Sequence, residues 1–475
     1  MSRNTILTVK NEHLIILSPE EAVDFFRELL WAEATRIGIP LDKINVSRWI
    51  DVPDGGVDAS ISDSNALMQS SFIKSGHNSY QVKTGSSFSP WQRSQIKNEL
   101  LGDKSPSKQN LGSSVRVCLD RDGTYVLVCF GHDLTGNQRR DAIENLEYYF
   151  NECGYQNPQV DVWSLNNLIS FLRPFPALAL RINRRQWGRF ETHQEWATQE
   201  EMRKGFVAGE QQEELLARLR VELRRGEEPV HIRVWGVAGI GKTRLVLEAT
   251  DADDLRPLIV YCAASRFRDS NLMTEVLRGD FYAILILDEC DPDTRAYTWD
   301  KLKYHSPRIK LISIYNERDD SSGISYFDMP PLGEAQIIEI IHRYGIPKDQ
   351  ADRWATECSG SPRVAHVVGS NLINHPEDIL KPPGTVNIWE RYIVGLDDPD
   401  SQEVRQRRTV LCHIALFKRF GYGGPVVTEA KAVAELVQQA DPRIAWRRFQ
   451  EIVKSLRDRK ILQGENTLYI TPSTA

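Results

Sequence analysis

The sequence predicts a multidomain α/β protein, and three features carry that expectation. In His231–Thr250 an apolar segment, a glycine-rich turn and an amphipathic stretch follow one another. Phe281–Glu289 is a near-continuous apolar run ending in two acids, the pattern of a parallel strand covered on both faces. Strand-like and helix-like stretches alternate over the first 190 residues, and four helical stretches closing in a short hairpin fill the end of the chain from residue 386.

Composition bounds the reading. The 475 residues allow about three domains at roughly 150 residues each. Hydrophobic content of 41% with 26% charged residues is enough to bury real cores. A net charge of −6 excludes a uniformly basic coat for nucleic acid, though not a local basic face. No apolar run reaches the roughly 18 residues that would span a bilayer, so no membrane partner is expected. The seven cysteines (118, 129, 153, 262, 290, 358 and 412) form no C-x-x-C pair, which reads as reduced thiols in a cytoplasmic protein.

The turn after Trp235 fits G-x-x-x-x-G-K-[ST], with Gly236, Gly239, Gly241, Lys242 and Thr243 at the defining places. Such a loop wraps backbone N–H groups around phosphates, its lysine reaches the β/γ oxygens, and its hydroxyl meets Mg²⁺. Forty-five residues on, Asp288 is expected to bind Mg²⁺ through water and Glu289 to polarise the attacking water. Ile309–Tyr315 is the next strand, and beyond its end Arg318 is favoured over Asn316 to reach the γ-phosphate. Pro330-Pro331-Leu332 opens a helical run (333–344, 348–358). Gly360-Ser361-Pro362-Arg363 then starts another helix, where Pro362 has a structural use at the first helical position.

In the first 190 residues, Pro19–Ile37 has helical periodicity with Val23, Phe26, Leu30 and Ile37 on one stripe. Glu33 shares that stripe and needs a partner, a metal or a proton there, whereas Glu28 falls on the polar side with Asp24. A glycine turn at Gly55-Gly56 leads to Asp58 and a short strand, and Ser79–Lys83 is a second strand that sets Gln81 and Lys83 on one face. An acid on one strand with Gln-x-Lys on the next suits metal-dependent phosphodiester cleavage, in which Asp58 and Gln81 hold Mg²⁺ and Lys83 positions or activates water. Residues 1–73 carry six Lys/Arg against eleven Asp/Glu, and residues 74–140 carry ten against five. A basic half beside an acidic one suits a nuclease, with Arg93, Lys97, Lys104, Lys108, Arg139 and Arg140 available to phosphates. Residues 114–130 are expected to form a hairpin turning at Asp122-Gly123, and Asn183–Trp196 a polar connector.

The N-terminal residues resemble the Mrr-like branch of the PD-(D/E)xK restriction-endonuclease superfamily. That likeness makes Glu33 the helix acid, Asp58 the metal ligand, Gln81 the (D/E) position and Lys83 the lysine. Gln81 departs from the wider superfamily's acid but agrees with this branch, whose strand carries Q-x-K, and it removes one charge from the metal site. Phe206-Val207-Ala208-Gly209-Glu210 resembles the F-x-G-R-E stretch before the P-loop of STAND NTPases, without its arginine, and residues 360–362 resemble the G-x-P of the STAND lid, a likeness that implies an approach of Pro362 to the nucleotide base.

In order along the chain, the resemblance implies a restriction-endonuclease-like effector (1–190), a P-loop NTPase core (191–332), a helical lid (333–385) and a winged helix (386–475). This order resembles the antiviral STAND (Avs) proteins. The likeness implies ATP and Mg²⁺ as cofactors, double-stranded DNA as substrate, a homo-oligomer, usually a tetramer, and activation by a phage protein such as terminase or portal. No repeat period is visible, so the sensor that would meet such a trigger is expected either in a region beyond Ala475 or on a partner. The former is favoured, because the final Ile470-Thr-Pro-Ser-Thr-Ala475 forms no recognisable cap. A STAND scaffold that binds without cleaving, and an ATP-dependent restriction enzyme that senses modified DNA through the winged helix, are the other readings.

Overall fold

The computed structural model describes residues 7–46, 55–64, 72–183, 190–226, 230–268, 270–305, 308–316, 325–374, 376, 379, 401–417, 419–458, 461–464 and 466–470. Two five-stranded sheets and one three-stranded sheet organise these residues.

The N-terminal unit begins with α1 (Asn11–Ile15) and α2 (Pro19–Ile37). Helix α2 starts where Ser18 accepts a hydrogen bond from the Glu21 amide, with Pro19 at the first position, and stops at Gly38, whose φ of 77° no other residue would adopt cheaply. The first sheet runs β1 (Ile44–Val46), β2 (Ala59–Ser64), β3 (Gly76–Lys83), β4 (Thr124–Cys129) and β5 (Gln159–Trp163) in that spatial order. The β1–β2 and β2–β3 pairs are antiparallel, and the β3–β4 and β4–β5 pairs are parallel. Alternation along β3 and β4 sends Tyr80, Val82, Val126 and Val128 into the core containing α2, while Tyr125, Leu127 and Cys129 enter the core of α3 (Arg93–Leu101), α4 (Ser113–Asp120) and α5 (Gly136–Glu152). Helices α6 (Leu165–Leu172) and α7 (Pro176–Asn183) complete the unit.

The expected hairpin over 114–130 is corrected here: its first half is helix α4. The alternation in Val115-Arg-Val117-Cys118-Leu119 reads equally as i, i+3, i+4, and burial follows the helical set, leaving Val117 46% exposed. The polar connector also needs correction. From Phe190 onward it is docked, with Glu191 bridging Tyr261 and α8 (His193–Ala197) burying Trp196 completely.

The central unit holds α9 (Glu210–Arg224), β6 (His231–Trp235), α10 (Lys242–Thr250), β7 (Ile259–Ala263), α11 (Ala264–Arg268), α12 (Asn271–Arg278), β8 (Ala283–Asp288), α13 (Pro292–Leu302), β9 (Ile309–Tyr315) and β10 (Ser325–Asp328). Its sheet is wholly parallel in the order β10-β6-β9-β8-β7, so β9 lies between the strand before the glycine-rich loop and the strand ending in Asp288. Helices α14 (Glu334–His342), α15 (Lys348–Ala355) and α16 (Pro362–Asn374) form a small bundle around Trp354. The last unit packs helices Gln402–Ile414, Val427–Ala440 and Trp446–Asp458 against a three-stranded sheet made by Phe420–Gly421, Thr467–Ile470 and Leu462–Gln463. The helix expected over 386–394 lies outside the described residues.

Candidate functional site

The glycine-rich turn leaves β6 and enters α10, as the sequence requires. Gly239 and Gly241 have φ of 83° and 100°, a region open to glycine, which lets the loop curl its backbone N–H groups around one centre. Lys242 is buried, and its Nζ donates to the Gly236 carbonyl at 2.7 Å, the Val237 carbonyl at 2.9 Å and Asn316 Oδ1 at 2.8 Å. Burial pulls its pKa down to about 8; the Asp288 charge opposes the fall and Arg233 adds to it. Thr243 Oγ1 donates to Asp288 Oδ2 at 2.9 Å, so the two residues expected to meet Mg²⁺ are already together. The loop and its oxygen donors fit a Mg²⁺-nucleotide.

Around this loop lies a cleft of about 1040 Å³. Phe206 and Val207 line it, as do Asn316, Pro362 and, from the last unit, Gln463 and Tyr469. Pro362 sits close enough that a Cβ on Gly241 would meet its Cγ at 3.4 Å, and Ser361 Oγ donates to the Gly239 carbonyl at 3.2 Å. Asn316 is the residue beyond β9 that reaches the site. Arg318, favoured from the sequence, lies outside the described residues.

Two tyrosines that the sequence did not single out hold the acids. Tyr261 OH donates to Asp288 Oδ2 at 3.0 Å, and its ring stacks on Trp196 with centroids 4.2 Å apart. Tyr469, from the C-terminal hairpin, donates to Glu289 Oε1 at 3.2 Å. Burial, together with nearby carboxylates, raises both phenols well above their ordinary pKa, so both remain donors. Glu289 itself has φ 51°, an uncommon conformation for a non-glycine residue and one that collects at functional sites. Arg233, fully buried in a strand, donates to the Cys290 carbonyl at 2.8 Å and underlies the same strand end. An arginine inside an otherwise apolar strand was the available signal for it.

The second cluster lies on β2 and β3. Ala59 pairs with Tyr80, and continuing that register by one residue sets Asp58 beside Gln81. Asp58 Oδ2 accepts from the Val82 amide at 2.7 Å. Gln81 is 7% exposed, and its Oε1 is buried with no hydrogen-bond partner, 3.8 Å from where a Cβ on Gly56 would stand. A buried acceptor without a donor is costly and marks a place that a cation would satisfy. Lys83 Nζ makes an ion pair with Glu99 of α3 at 2.5 Å. The oxygen-only set of Asp58 and Gln81 therefore fits a hard divalent ion.

Glu33 does not join them. It lies on the Phe26–Leu30 stripe of α2, on the Tyr80 side of the sheet, and Arg36 holds both its oxygens at 2.6 Å. The partner that its burial demanded is thus a helix neighbour. Glu28 and Asp24, expected on a polar face, instead meet Arg181 of α7. Four of the six cations expected to serve phosphates have local partners: Arg93 with Asn145, Lys108 with Asp120, Arg139 with Asp161, and Arg140 with Glu144. Among the described residues no group of three or more His, Cys, Asp and Glu is placed to hold a metal, and no helix is long and apolar enough to cross a membrane.

No family model matches the chain, and no curated protein matches it. Among solved structures it is similar to the RuvB Holliday junction branch migration motor of Thermotoga maritima, at 18% identity and a TM-score of 0.33, covering 56% of this chain and 93% of that one. The Aeropyrum pernix ORC1 protein in complex with DNA gives 15% identity and a TM-score of 0.35, with 60% of this chain and 94% of that chain covered. A Signal Transduction ATPase with Numerous Domains (STAND) protein with a tetratricopeptide repeat sensor from Pyrococcus horikoshii gives 14% and 0.30, covering 56% of this chain and 41% of that one. At such scores the likeness decides nothing. The P-loop NTPase fold of the central unit rests on its own strand order, its glycine loop and the meeting of Thr243 with Asp288.

Proposed function

We propose that the chain is an ATP-gated, metal-dependent DNA endonuclease of antiphage defence, of the antiviral STAND kind, held at rest by its C-terminal winged helix. The observation that carries the nuclease half is the buried, unpartnered Gln81 Oε1 beside Asp58, with Lys83 two residues along the same strand face. Mg²⁺ held by Asp58 and Gln81 would supply Lewis-acid polarisation of a phosphodiester and acidify a water. Lys83, released from Glu99, would orient that water against the phosphorus. ATP would be held by the loop amides and Lys242, with Thr243 and Asp288 on its Mg²⁺ and Pro362 closing the lid over it. Glu289 would polarise the hydrolytic water once Tyr469 lets it go.

Assembly follows from the need to keep a nuclease silent in its own cell. Nucleotide and trigger shift the protein only by their differential affinity for the open state. The trigger on this reading is a phage protein, and the active form an oligomer, in line with a tetramer, that presents paired nuclease sites to duplex DNA.

Plasmid cleavage in Mg²⁺ and ATP, with candidate phage proteins, tests the reading. Cleavage lost in Lys83→Ala, Asp58→Ala and Lys242→Ala is the expected result. Full cleavage by Lys83→Ala would sink the nuclease assignment. The scaffold reading draws on the Lys83–Glu99 pair, which keeps the lysine from any substrate, and ATP-dependent assembly without cleavage under any trigger would favour it.

A further inference from the structure

We propose that Glu99 is the second acid of the nuclease centre, supplying from α3 the carboxylate that Gln81 lacks on β3. The inference rests on the nuclease reading above and extends it to a residue outside the strand pattern. Alternation along β3 sets Gln81 and Lys83 side by side on the face that packs against α3, α4 and α5. Helix α3 buries Ile96, Leu100 and Leu101 in that same core and packs against α5. Glu99 then reaches back to β3, and its Oε1 lies 2.5 Å from Lys83 Nζ.

The charge balance gives this contact its meaning. Asp58 and Gln81 together present one negative charge and one buried neutral oxygen without a partner. A divalent ion there would be poorly neutralised, and ligand charge count is a main determinant of affinity for hard cations. Glu99 is the carboxylate that the structure brings against the Gln-x-Lys strand on this face, and its side chain is 23% exposed, leaving it room to move. In the resting chain Glu99 and Lys83 neutralise each other. On cation binding Glu99 exchanges Lys83 for the metal, and the same movement frees the lysine ammonium for substrate. One residue thereby completes the cation site and uncovers the lysine.

Mn²⁺ binding to the full-length, nucleotide-free chain tests this, read by electron paramagnetic resonance in an Asp288→Asn background that removes the nucleotide site's contribution. That parent should bind one Mn²⁺ in the N-terminal unit, and Asp58→Asn should abolish binding. Glu99→Gln, nearly isosteric, should weaken it by about tenfold or more. Gln81→Glu added to Glu99→Gln should restore the affinity, because the charge returns on the strand. Thermal melting identifies any variant that fails to fold, and Glu99→Asp then serves as the milder probe, expected to keep most of the affinity. Unchanged Mn²⁺ affinity in Glu99→Gln, with binding lost in Asp58→Asn, would overturn the role of Glu99 and leave the nuclease reading standing. No Mn²⁺ binding, or binding indifferent to Asp58→Asn, would overturn both.

Discussion

Lys242 shows how much of this protein's chemistry is set by single charges carried out of water. The residue is 7% exposed, and its ammonium spends its three donors on two loop carbonyls and Asn316. Burial holds its pKa near 8 against 10.5 for an ordinary lysine. Because the folded value is the lower one, the folded chain binds fewer protons than the unfolded chain between pH 8 and 10.5. The cost of the buried charge is thus fully present below pH 8 and is relieved as pH rises toward 10.5. A polyphosphate replacing those carbonyls would favour the charged lysine and raise its pKa again. Nucleotide binding at pH 9 should therefore take up close to about one proton per site, falling toward none at pH 7. Calorimetry in buffers of different ionisation enthalpy measures this directly, and proton uptake that survives Lys242→Ala would refute the assignment. The residues that act within one short run, such as Gly239, Gly241, Lys242 and Thr243, were legible because loop geometry ties function to spacing. Tyr469 was not, since its partner Glu289 lies 180 residues away and only the folded chain joins them.

Between elements, the same limit appears as a choice of period or of face. Val115, Cys118 and Leu119 satisfy a helix, yet the surrounding alternation satisfies a strand equally well; the packing of α4 over β3 and β4 decides. Periodicity makes the stripe on α2 core-facing but does not say which face of the sheet it covers, and the grouping of Glu33 with Asp58 rests on the family resemblance alone. The C-terminal hairpin gives the clearest functional consequence of element placement. Its Tyr469 hydroxyl ties up Glu289, while Arg419, just before the Phe420–Gly421 strand, donates to Tyr315 OH at 2.6 Å at the end of β9. A hydrogen bond to a charged group contributes about 1.5–3 kcal/mol, enough to hold the Glu289 carboxylate largely in one orientation. Tyr469→Phe should therefore raise the resting rate of ATP hydrolysis by about tenfold, while Tyr469→Phe with Glu289→Gln should hydrolyse none. Steady-state phosphate release checks both, and an unchanged rate in Tyr469→Phe would mean that the hairpin does not restrain Glu289.

Across the whole molecule, the interfaces differ in kind, and that difference decides which one can open. The N-terminal and central units share one continuous apolar core that runs from Phe26 and Tyr80 to Ile232 and Ile286. Polar contacts reinforce the seam: Thr35 Oγ1 donates to the Asp254 carbonyl at 3.2 Å, and Gln194 Nε2 to Glu28 Oε1 at 3.2 Å. Arg181, on a helix whose Ala177 and Leu180 pack into the central unit, ties Asp24 and Glu28 of α2 at the same place. The C-terminal unit has its own core and meets the nucleotide cleft through the polar contacts of Tyr469 and Arg419. Opening should therefore detach the C-terminal unit and leave the N-terminal unit fixed to the central one. Arg181→Met removes a guanidinium from the seam and strands the Glu28 carboxylate, only 10% exposed, without its cation. Breaking a mostly buried pair in this way should destabilise the chain by about 3 kcal/mol, and adding Glu28→Gln should recover a large part of the loss, because the uncompensated charge is gone. Urea denaturation followed by tryptophan fluorescence measures both. A full-sized loss that Glu28→Gln leaves untouched would assign the role of Arg181 to packing instead of charge, and the seam would then owe its rigidity to its apolar core alone.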